Sequence, residues 1–494
     1  MNTGKLLFAA FTVLLAFGQA GCNQPKKEMN FSEDVAFLKK HVEVIVLGQG
    51  GGSPQVAVVP AYQGRVMTST VGGGESQSHG WINYDLIAAG EFGPHINAFG
   101  GEDRFWLGPE GGQFSIFFKK DDPFDLEHWQ TPAVIDTTPY KVTAQSADAV
   151  TFRHEAKIKN YSDTEFSIRI DRTVRLYDRV KIRDLIGADL PEGINAVAYE
   201  TENILTNTGD VAWTKQGGLL SIWILGMYKH SEKTTVLVPY VEGDEAKLGP
   251  IVNADYFGTV PADRLKVAEG VIRFSGDGQY RSKIGLTPQR AKAVLGSYDA
   301  TRQLLTIVQY TKPEGATDYV NSMWELQDEP FKGDAVNSYN DGPPSPGVKP
   351  LGPFYELESS SPALALKPGA KGITTDVCVP ISKLAECIAD TQRDIEETGI
   401  PSPIVGHVGD GNFHLVMLVD RDSGEEMTRA KEMIGRLNHR AIAMGGTCTG
   451  EHGVGIGKME YLTAEHGDAV SVMRSLKKAL DPDNIMNPGK FLRV

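Results

Sequence analysis

The chain has 494 residues, 41% of them hydrophobic and 23% charged, so it can bury sizeable cores but is too long for one ordinary domain. Its formal net charge of −14 argues against a nucleic-acid partner, because phosphates would repel it. Its four cysteines are irregularly spaced and do not form the framework of a disulfide-stapled fold.

The first residues have the pattern of an export signal. Lys5 supplies a positive charge, and the apolar run that follows, residues 6–17, is too short to span a bilayer. Small residues then precede Cys22, which resembles a bacterial lipoprotein signal, in which the cysteine is lipidated. An ordinary cleaved signal peptide with an incidental cysteine is the alternative. We predict a signal peptide over residues 1–22, a polar tether over 23–41, and an exported cell-envelope protein that meets the membrane only through a lipid anchor.

Residues 42–371 form the larger predicted domain, and their pattern is typical of β-structure. Short runs of β-branched and aromatic residues alternate with glycine, proline, aspartate and asparagine, without a long amphipathic helix. This succession predicts a large all-β antiparallel sandwich. A glycine-rich stretch at 48–53 follows one such run, but Pro54 and a second run come next instead of a helix. We therefore interpret it as a β-turn and not as a nucleotide-binding loop.

Two stretches of this domain resemble galactose-mutarotase-like proteins. They are residues 100–112 and residues 354–362, the latter a late strand that in aldose epimerases carries the catalytic glutamate. The resemblance covers roughly residues 30–370 and implies a β-supersandwich with a groove of carbohydrate size.

The candidate residues for a monosaccharide site are His95, Arg104, Trp106, Glu356 and Glu358. A tryptophan ring can stack on a pyranose face, an arginine can donate to hydroxyls, and mutarotation needs an acid and a base beside the anomeric hydroxyl. Ordinary structural roles stay open as the alternative. The charged residues of 100–112 can form an internal ion pair, and a strand tryptophan is usually part of a core.

After residue 371 the pattern changes to alternating strands and helices, and we place a second domain at 372–494. The order of its elements suggests a split, ferredoxin-like α+β sheet, with Ser382 as the cap of its first helix. The predicted strands are 374–379, 404–408 and 413–419, and the predicted helices are 383–398, 425–444 and about 468–480.

Two histidines flank a glycine-rich turn in this domain. If residues 409–412 connect the two strands, His407 pairs with His414 across the hairpin, and the two imidazoles can chelate one divalent cation. Glu451, in a second glycine-rich loop, is the obvious third ligand. Two histidines and a carboxylate with an open position suit a catalytic zinc, manganese or iron site. The alternative is a plain cross-strand histidine pair on a half-buried sheet.

Four strings of this domain closely resemble the C-terminal part of the FAD-linked oxidases. That family includes D-lactate dehydrogenase, glycolate oxidase and D-2-hydroxyglutarate dehydrogenase. The strings are residues 375–380, 406–414, 450–455 and 481–490.

The resemblance implies a role for individual residues of these strings. The implied ligands of a divalent metal, zinc or manganese, are His407, His414 and Glu451. The metal would grip a small 2-hydroxy acid, Asn412 would contact that substrate, and His452 would remove the hydroxyl proton as hydride passes to FAD. The implied cofactor-binding residues are Asn487, Gly489 and Lys490.

The residues that precede this domain depart from the oxidase family. Members carry an FAD-binding domain of ordinary domain size ahead of it, whereas residues 42–371 have the β-rich pattern. We interpret the chain as a chimera, from a gene fusion or an error in assembling the gene, whose flavoenzyme part is incomplete. The alternative function is an envelope-anchored carbohydrate-binding or aldose-epimerase-like protein with an inert flavoenzyme tail.

Overall fold

The structure is a computed structural model that describes residues 28–345, 347–367, 370–420, 423–485 and 488–492. The predicted signal peptide, Cys22 and Asn487 lie outside these residues. Among the helices that it does describe, none combines the length and the apolar content needed to cross a bilayer.

The N-terminal part is built mainly of β-strands, as its alternating pattern predicts. Strands β1 to β17 are Ile45–Leu47, Gln55–Val59, Arg65–Thr70, Arg104–Gly108, Lys141–Gln145, Ala149–Lys159, Glu165–Tyr177, Ala198–Asn207, Ser221–Lys229, Thr234–Pro239, Leu265–Ala268, Val271–Ser275, Ser282–Leu286, Val294–Asp299, Leu304–Gln309, Val336–Asn340 and Phe354–Ser360. Short helices α1 to α5 lie between them at Phe31–Leu38, Tyr84–Ala89, Ala133–Asp136, Arg179–Ile186 and Glu245–Leu248.

These strands form antiparallel sheets that pack on one another. The sheet orders are β1-β2-β3, β5-β6-β7-β8, β11-β12-β10-β14-β15 and β13-β16-β17-β9-β4. Val236 and Phe274 of the third sheet share one buried cluster with Leu357 of the fourth. Because successive strand residues point to opposite faces, Glu356 and Glu358 lie on the other face of β17. The mostly-sheet N-terminal part is thereby confirmed, and the stretch at 48–53 joins the antiparallel pair β1 and β2 as the predicted turn.

Helix α1 lies within the predicted tether, so the tether prediction is wrong for these residues. Asn30 and Glu33 form a reciprocal capping box, with hydrogen bonds of 2.8 Å between each backbone N–H and the other side chain. Leu38, at the end of the helix, is fully buried in a cluster with Val59 and Met67. The helix therefore belongs to the folded N-terminal part.

The C-terminal part is a three-stranded antiparallel sheet with two helices on one face. Its elements are β18 at Ala370–Cys378, α6 at Ile381–Thr398, β19 at Ile404–His407, β20 at Asn412–Asp420, α7 at Gly424–Ala443, α8 at Leu462–His466 and α9 at Ala469–Leu480. The sheet order is β18-β20-β19, and Phe413, Leu415 and Met417 of the central strand pack against α6 and α7. The predicted α+β segment is confirmed.

Two local predictions for this part are corrected. Ser382 does not cap α6, because the helix already begins at Ile381 and its N-cap position is Pro380, which makes no side-chain capping bond. Strand β18 begins at Ala370, so the predicted domain boundary at residue 372 falls just inside the strand.

Candidate functional site

His407 and His414 lie on the same face of the C-terminal sheet, opposite the face that packs on the helices. Strand pairing sets His407 against Asn412 and His414 against Val405. The predicted direct pairing of the two histidines is therefore wrong by two residues. Residues 408–411 make the turn, with Gly411 in the left-handed region at a φ of 72°. Because a shift of two residues preserves the face, the two rings still meet, with centroids 5.7 Å apart.

Glu451 completes a three-residue cluster with these rings. Its Oε1 lies 3.1 Å from Nε2 of His414 and 3.7 Å from Nε2 of His407. One ligand atom from each of the three residues can be chosen so that all lie within 4.8 Å of one another. Burial lowers the pKa of His414 more than the Glu451 carboxylate raises it. This imidazole is therefore neutral at neutral pH, the form that ligates a metal.

His452 stands at the outer side of the cluster. Its Nε2 lies 3.7 Å from the same Oε1 of Glu451, and its ring centroid lies 5.2 Å from that of His414. Its side chain is 62% exposed, so a molecule approaching from solvent can reach it. Asn412 is buried beneath the cluster, and its Oδ1 has no hydrogen-bond partner among the described residues.

Asp376 on β18 belongs to the cluster, although it is not among the predicted site residues. Its buried carboxylate accepts hydrogen bonds from the backbone N–H of Glu451 at 2.6 Å and of His452 at 3.3 Å, and from Nζ of Lys458 at 2.7 Å. Burial raises the pKa of Asp376, but these donors outweigh it and hold the pKa below its ordinary value. A detectable signal was an aspartate within a predicted strand, directly before the apolar residues 377–379.

The residues implied for flavin binding do not enclose a cofactor. Gly489 and Lys490 are exposed, and Asn487 lies outside the described residues. The backbone N–H of Phe491 donates to the carbonyl of Gly455, so this end of the chain lies beside the loop that carries Glu451. Exposed residues on one side of a loop cannot by themselves surround a group the size of a flavin. Gly489 and Lys490 therefore do not form an FAD site by themselves, whereas His407, His414 and Glu451 are close enough together to hold a metal ion.

A second candidate site occupies one face of the sheet β13-β16-β17-β9-β4. Trp223 lies directly opposite Trp106 on one neighbouring strand and opposite Ser360 on the other. Tyr339 in the same way lies opposite Glu356 on one side and opposite Lys283 on the other. The residues that this register places on one face are Arg104, Trp106, Trp223, Lys283, Glu356 and Glu358. Strands distant in sequence thus bring four of the five predicted sugar-site residues together.

Two ion pairs lie on this sheet face. Nη2 of Arg104 donates to Oε1 of Glu356 at 2.8 Å, and the guanidinium stacks 4.2 Å from the centre of the Trp106 ring. Oε2 of Glu358 accepts from Nε1 of Trp223 at 3.0 Å and from Nζ of Lys283 at 2.9 Å. The structural alternatives for Arg104 and Trp106, an internal ion pair and a core tryptophan, are both present in the fold.

Several buried polar atoms of the same face nevertheless have no partner among the described residues. They are Nε and Nη1 of Arg104, Nε1 of Trp106, Oγ of Ser221 and Oε1 of Glu358. Each such atom costs about 1–3 kcal/mol if it stays unpaired, so buried polar atoms in native proteins are almost always satisfied. Because these atoms cluster on one face, a bound polar molecule or ordered water can satisfy several of them together.

Two carboxyl groups near this face have raised pKa values. Burial raises the pKa of Glu356 to about 7, against the opposing effect of Arg104. Burial likewise raises the pKa of Glu110 to about 7, against the opposing effect of Lys283. Neither Glu110 nor Lys283 was predicted as a site residue, since nothing local marks a lone charge in a loop or strand.

His95 does not join the other predicted sugar-site residues. Its Nδ1 lies 2.7 Å from the carbonyl oxygen of Trp129 and 2.8 Å from Nε2 of Gln130. Within the described residues, no hydrogen bond or ring contact links it to Arg104 or Glu356. Its inclusion in the site is not supported by these contacts.

The fold and the two clusters define a two-part protein: a β-sandwich with a polar sheet face, followed by an α+β segment with a histidine–carboxylate cluster. Residues 29–381 match the family described as "Family of unknown function (DUF6786)". Since this match covers most of the chain, the protein belongs to that family. Residues 353–491 match the family described as "FAD linked oxidases, C-terminal domain".

Curated relatives resemble about a quarter of this chain. A Danio rerio protein named "Probable D-lactate dehydrogenase, mitochondrial" is 51% identical over 133 residues, 27% of this chain and 27% of the relative. The mitochondrial D-lactate dehydrogenase [cytochrome] of Arabidopsis thaliana is 45% identical over 129 residues, 26% of this chain and 23% of the relative. The glycolate oxidase subunit GlcD of Bacillus subtilis is 39% identical over 135 residues, 27% of this chain and 28% of the relative. The chain therefore spans about a quarter of each relative's length. The predicted resemblance to the FAD-linked oxidases is confirmed.

Solved structures resemble the N-terminal part at low similarity. A galactose mutarotase-like protein from Lactobacillus casei has a TM-score of 0.37 and 10% identity, over 64% of this chain and 87% of that chain. A galactose mutarotase related enzyme from Lactobacillus acidophilus has a TM-score of 0.34 and 9% identity, over 64% of this chain and 85% of that chain.

Proposed function

We propose that residues 372–494 are the metal- and substrate-holding segment of a flavin-dependent oxidoreductase. Its substrate would be a small D-2-hydroxy acid of the D-lactate or glycolate type, with FAD as the hydride acceptor. The observation that carries the proposal is the convergence of His407, His414 and Glu451 on one point of the exposed sheet face. The match of this segment to FAD-linked oxidases supports the reaction class.

The donor set suits zinc or manganese. Two imidazole nitrogens and one carboxylate oxygen leave coordination positions open for a substrate. A bound divalent metal would supply the positive charge that lowers the pKa of a substrate hydroxyl. We assign His452, whose exposed side chain lies at the outer side of the cluster, as the group that takes that proton, and we assign Asn412, which is buried beneath the cluster, as a substrate contact.

For this chain on its own, we propose metal and substrate binding only. The described residues do not enclose a flavin, and those that precede the oxidase-like segment match a different family. We therefore expect the purified chain to bind a metal and a 2-hydroxy acid without oxidising the acid. A full reaction would need a flavin site from elsewhere.

The test uses metal-stripped full-length protein. We expect one site for Zn²⁺ or Mn²⁺ by calorimetry, and D-lactate binding that is tighter than L-lactate binding and requires the metal. His407→Ala should abolish both signals, and His439→Ala, a histidine on α7 away from the cluster, is the matched control. Absence of a cation site, or an unchanged site in His407→Ala, would refute the proposal. Yellow protein that reduces a dye with D-lactate would show that the activity is complete in this chain.

We propose carbohydrate binding as a second candidate function, carried by the N-terminal sheet face. The unpaired polar atoms of Arg104, Trp106 and Glu358 favour it, because sugar hydroxyls both donate and accept hydrogen bonds. The two carboxyls with raised pKa values extend the candidate to aldose epimerisation. Calorimetry against a monosaccharide panel tests it, with Arg104→Met as the disabling variant. Arg153→Met, which alters an exposed arginine of β6, is the control.

We also propose that the protein is exported and lipidated at Cys22. The apolar run and the cysteine after it support this. Expression in a bacterial host followed by mass spectrometry of the mature N-terminus tests it. A Cys22→Ser variant should lose the lipid mass and the membrane association together. An unprocessed N-terminus in the unaltered protein would refute the proposal.

A further inference from the structure

Asp376 lies at the point where the loop carrying Glu451 meets the sheet. It is 1% exposed, and strand pairing sets it directly across from His414. Asp376 thus lies opposite His414 in the sheet and also contacts the loop that carries Glu451.

Both ends of the loop are tied to this one side chain. Oδ2 accepts from the backbone N–H of Glu451 and of His452, and Oδ1 accepts from Nζ of Lys458. The ammonium of Lys458 also donates to the backbone carbonyl of Asp376. Residues 451–458 therefore form a closed loop whose two ends are held by Asp376.

Elsewhere the loop is held by two backbone hydrogen bonds, from the N–H of Phe491 to the carbonyl of Gly455 and from the N–H of Lys458 to the carbonyl of Val454. Gly453 and Gly455 have φ values of 76° and 51°, and a Cβ added at either would meet nothing within 4 Å. At Gly450, by contrast, an added Cβ would lie 1.9 Å from Oδ1 of Asn412 and 2.8 Å from Oδ2 of Asp376. There is thus room for a side chain at Gly453 and Gly455 but not at Gly450, where the backbone packs against Asp376 and Asn412.

We infer that Asp376 is the positioning residue of this site, and that it presents the Glu451 carboxylate to His407 and His414 before any metal binds. The inference rests on the proposed metal-binding function and goes beyond it by naming what assembles the ligand set. A glycine-rich loop loses much conformational entropy when it is ordered, and a charged acceptor with two backbone donors offsets that cost. Lys458 neutralises the buried carboxylate and anchors the far end.

The test combines cation affinity with hydrogen exchange in the metal-free full-length protein. The main variant is the double substitution Asp376→Ala with Lys458→Met, which removes the acceptor without leaving a buried ammonium unpaired. We expect it to weaken Zn²⁺ or Mn²⁺ binding by about 10–100-fold, the usual effect of losing a partner that orients a ligand. We expect amide exchange in residues 450–458 to accelerate about tenfold or more.

Three further measurements separate positioning from loss of fold. Exchange in β20 should stay slow in the double variant, and Co²⁺ bound in place of zinc should show an altered visible spectrum. Asp376→Asn keeps the shape of the side chain but removes its charge and one of its two acceptor oxygens, so it should fall between the double variant and the unaltered protein. Asp410→Asn makes the same charge change at an exposed turn residue and should change neither readout.

The outcomes separate this inference from the proposed function. If the unaltered protein binds no cation, the proposed function fails, and hydrogen exchange alone decides whether Asp376 holds the loop. If the double variant binds the cation within about threefold of the unaltered protein and exchange in residues 450–458 is unchanged, Asp376 does not position the loop. If β20 also exchanges rapidly in the double variant, Asp376→Asn decides, and unchanged exchange in that variant overturns the inference.

Discussion

Glu356 is a buried carboxyl whose ionisation should weaken the N-terminal fold. Burial raises its pKa from 4.5 to about 7, so between these values the folded protein holds a proton that the unfolded chain releases. Stability is therefore fully present below the unfolded pKa and is lost as the pH rises through the folded one. At 1.36 kcal/mol for each pKa unit, the shift corresponds to about 3 kcal/mol. Because Gln is neutral and can still accept from Arg104, Glu356→Gln should be about 3 kcal/mol more stable than the unaltered protein near pH 8 and equally stable at about pH 3.5, below the unfolded pKa.

Urea unfolding followed by tryptophan fluorescence measures this effect. All six tryptophans precede residue 325, so their signal reports the N-terminal part alone. Glu155→Gln, which removes an exposed carboxylate of β6, is the control and should keep the pH profile of the unaltered protein. A Glu356→Gln protein that is less stable than the unaltered protein near pH 8 would show that Arg104 stabilises the ionised carboxylate more than burial penalises it.

Other substitutions test the remaining clusters. Glu451→Gln should weaken Zn²⁺ binding by about 100-fold or more, which exceeds the effect of losing a residue that only orients a ligand. His452→Gln should leave Zn²⁺ binding nearly unchanged. Competition with a chromogenic chelator measures both affinities, and equal losses in the two variants would contradict the ligand assignment. Lys181, whose Nζ lies 3.6 Å from Oε2 of Glu451, should oppose cation binding. Lys181→Met should tighten cation binding about fivefold at low salt and little at high salt, because it removes about 1 kcal/mol of repulsion between the lysine and the cation, which salt screens. An effect that does not depend on salt would exclude this repulsion as the cause. Lys283→Met leaves the carboxylate of Glu358 buried without its cation and should lower the free energy of unfolding by about 3–5 kcal/mol in urea, and a loss below about 1 kcal/mol would mean that Glu358 is neutral in the fold.

The sequence pattern predicted the class of each part because that class depends on local periodicity. Apolar runs punctuated by glycine and proline predict strands, and the helices predicted at 383–398 and 425–444 have ends within two residues of those observed. Helix α1 was missed because its polar surroundings were interpreted as a tether. Its capping residues, Asn30 and Glu33, were the signal that favoured a helix.

The candidate metal site was predictable in its members but not in its register. The glycine-rich stretch allows a turn at residues 409–412, as predicted, or at residues 408–411, as observed. The difference changes the strand partner of His407 from His414 to Asn412. Asp376 could not be assigned from the sequence, because it lies 75 residues from Glu451 along the chain and the hydrogen bond between them depends on tertiary structure. Lys283 and Glu358 are likewise joined only by strand order.

The junction between the two parts is short, and this determines how strongly they can influence each other. The carbonyl of Leu366 accepts hydrogen bonds from the backbone of Trp213 at 2.9 Å and from Asn207 at 3.0 Å, so the chain is still fixed to the sandwich there. Strand β18 begins at Ala370, and four residues of chain reach at most ~15 Å. A linker of this length gives each part an effective concentration around the other on the order of millimolar. A contact as weak as that between Lys181 and Glu451 can therefore persist within one molecule, although the two parts mixed as separate chains would not form it.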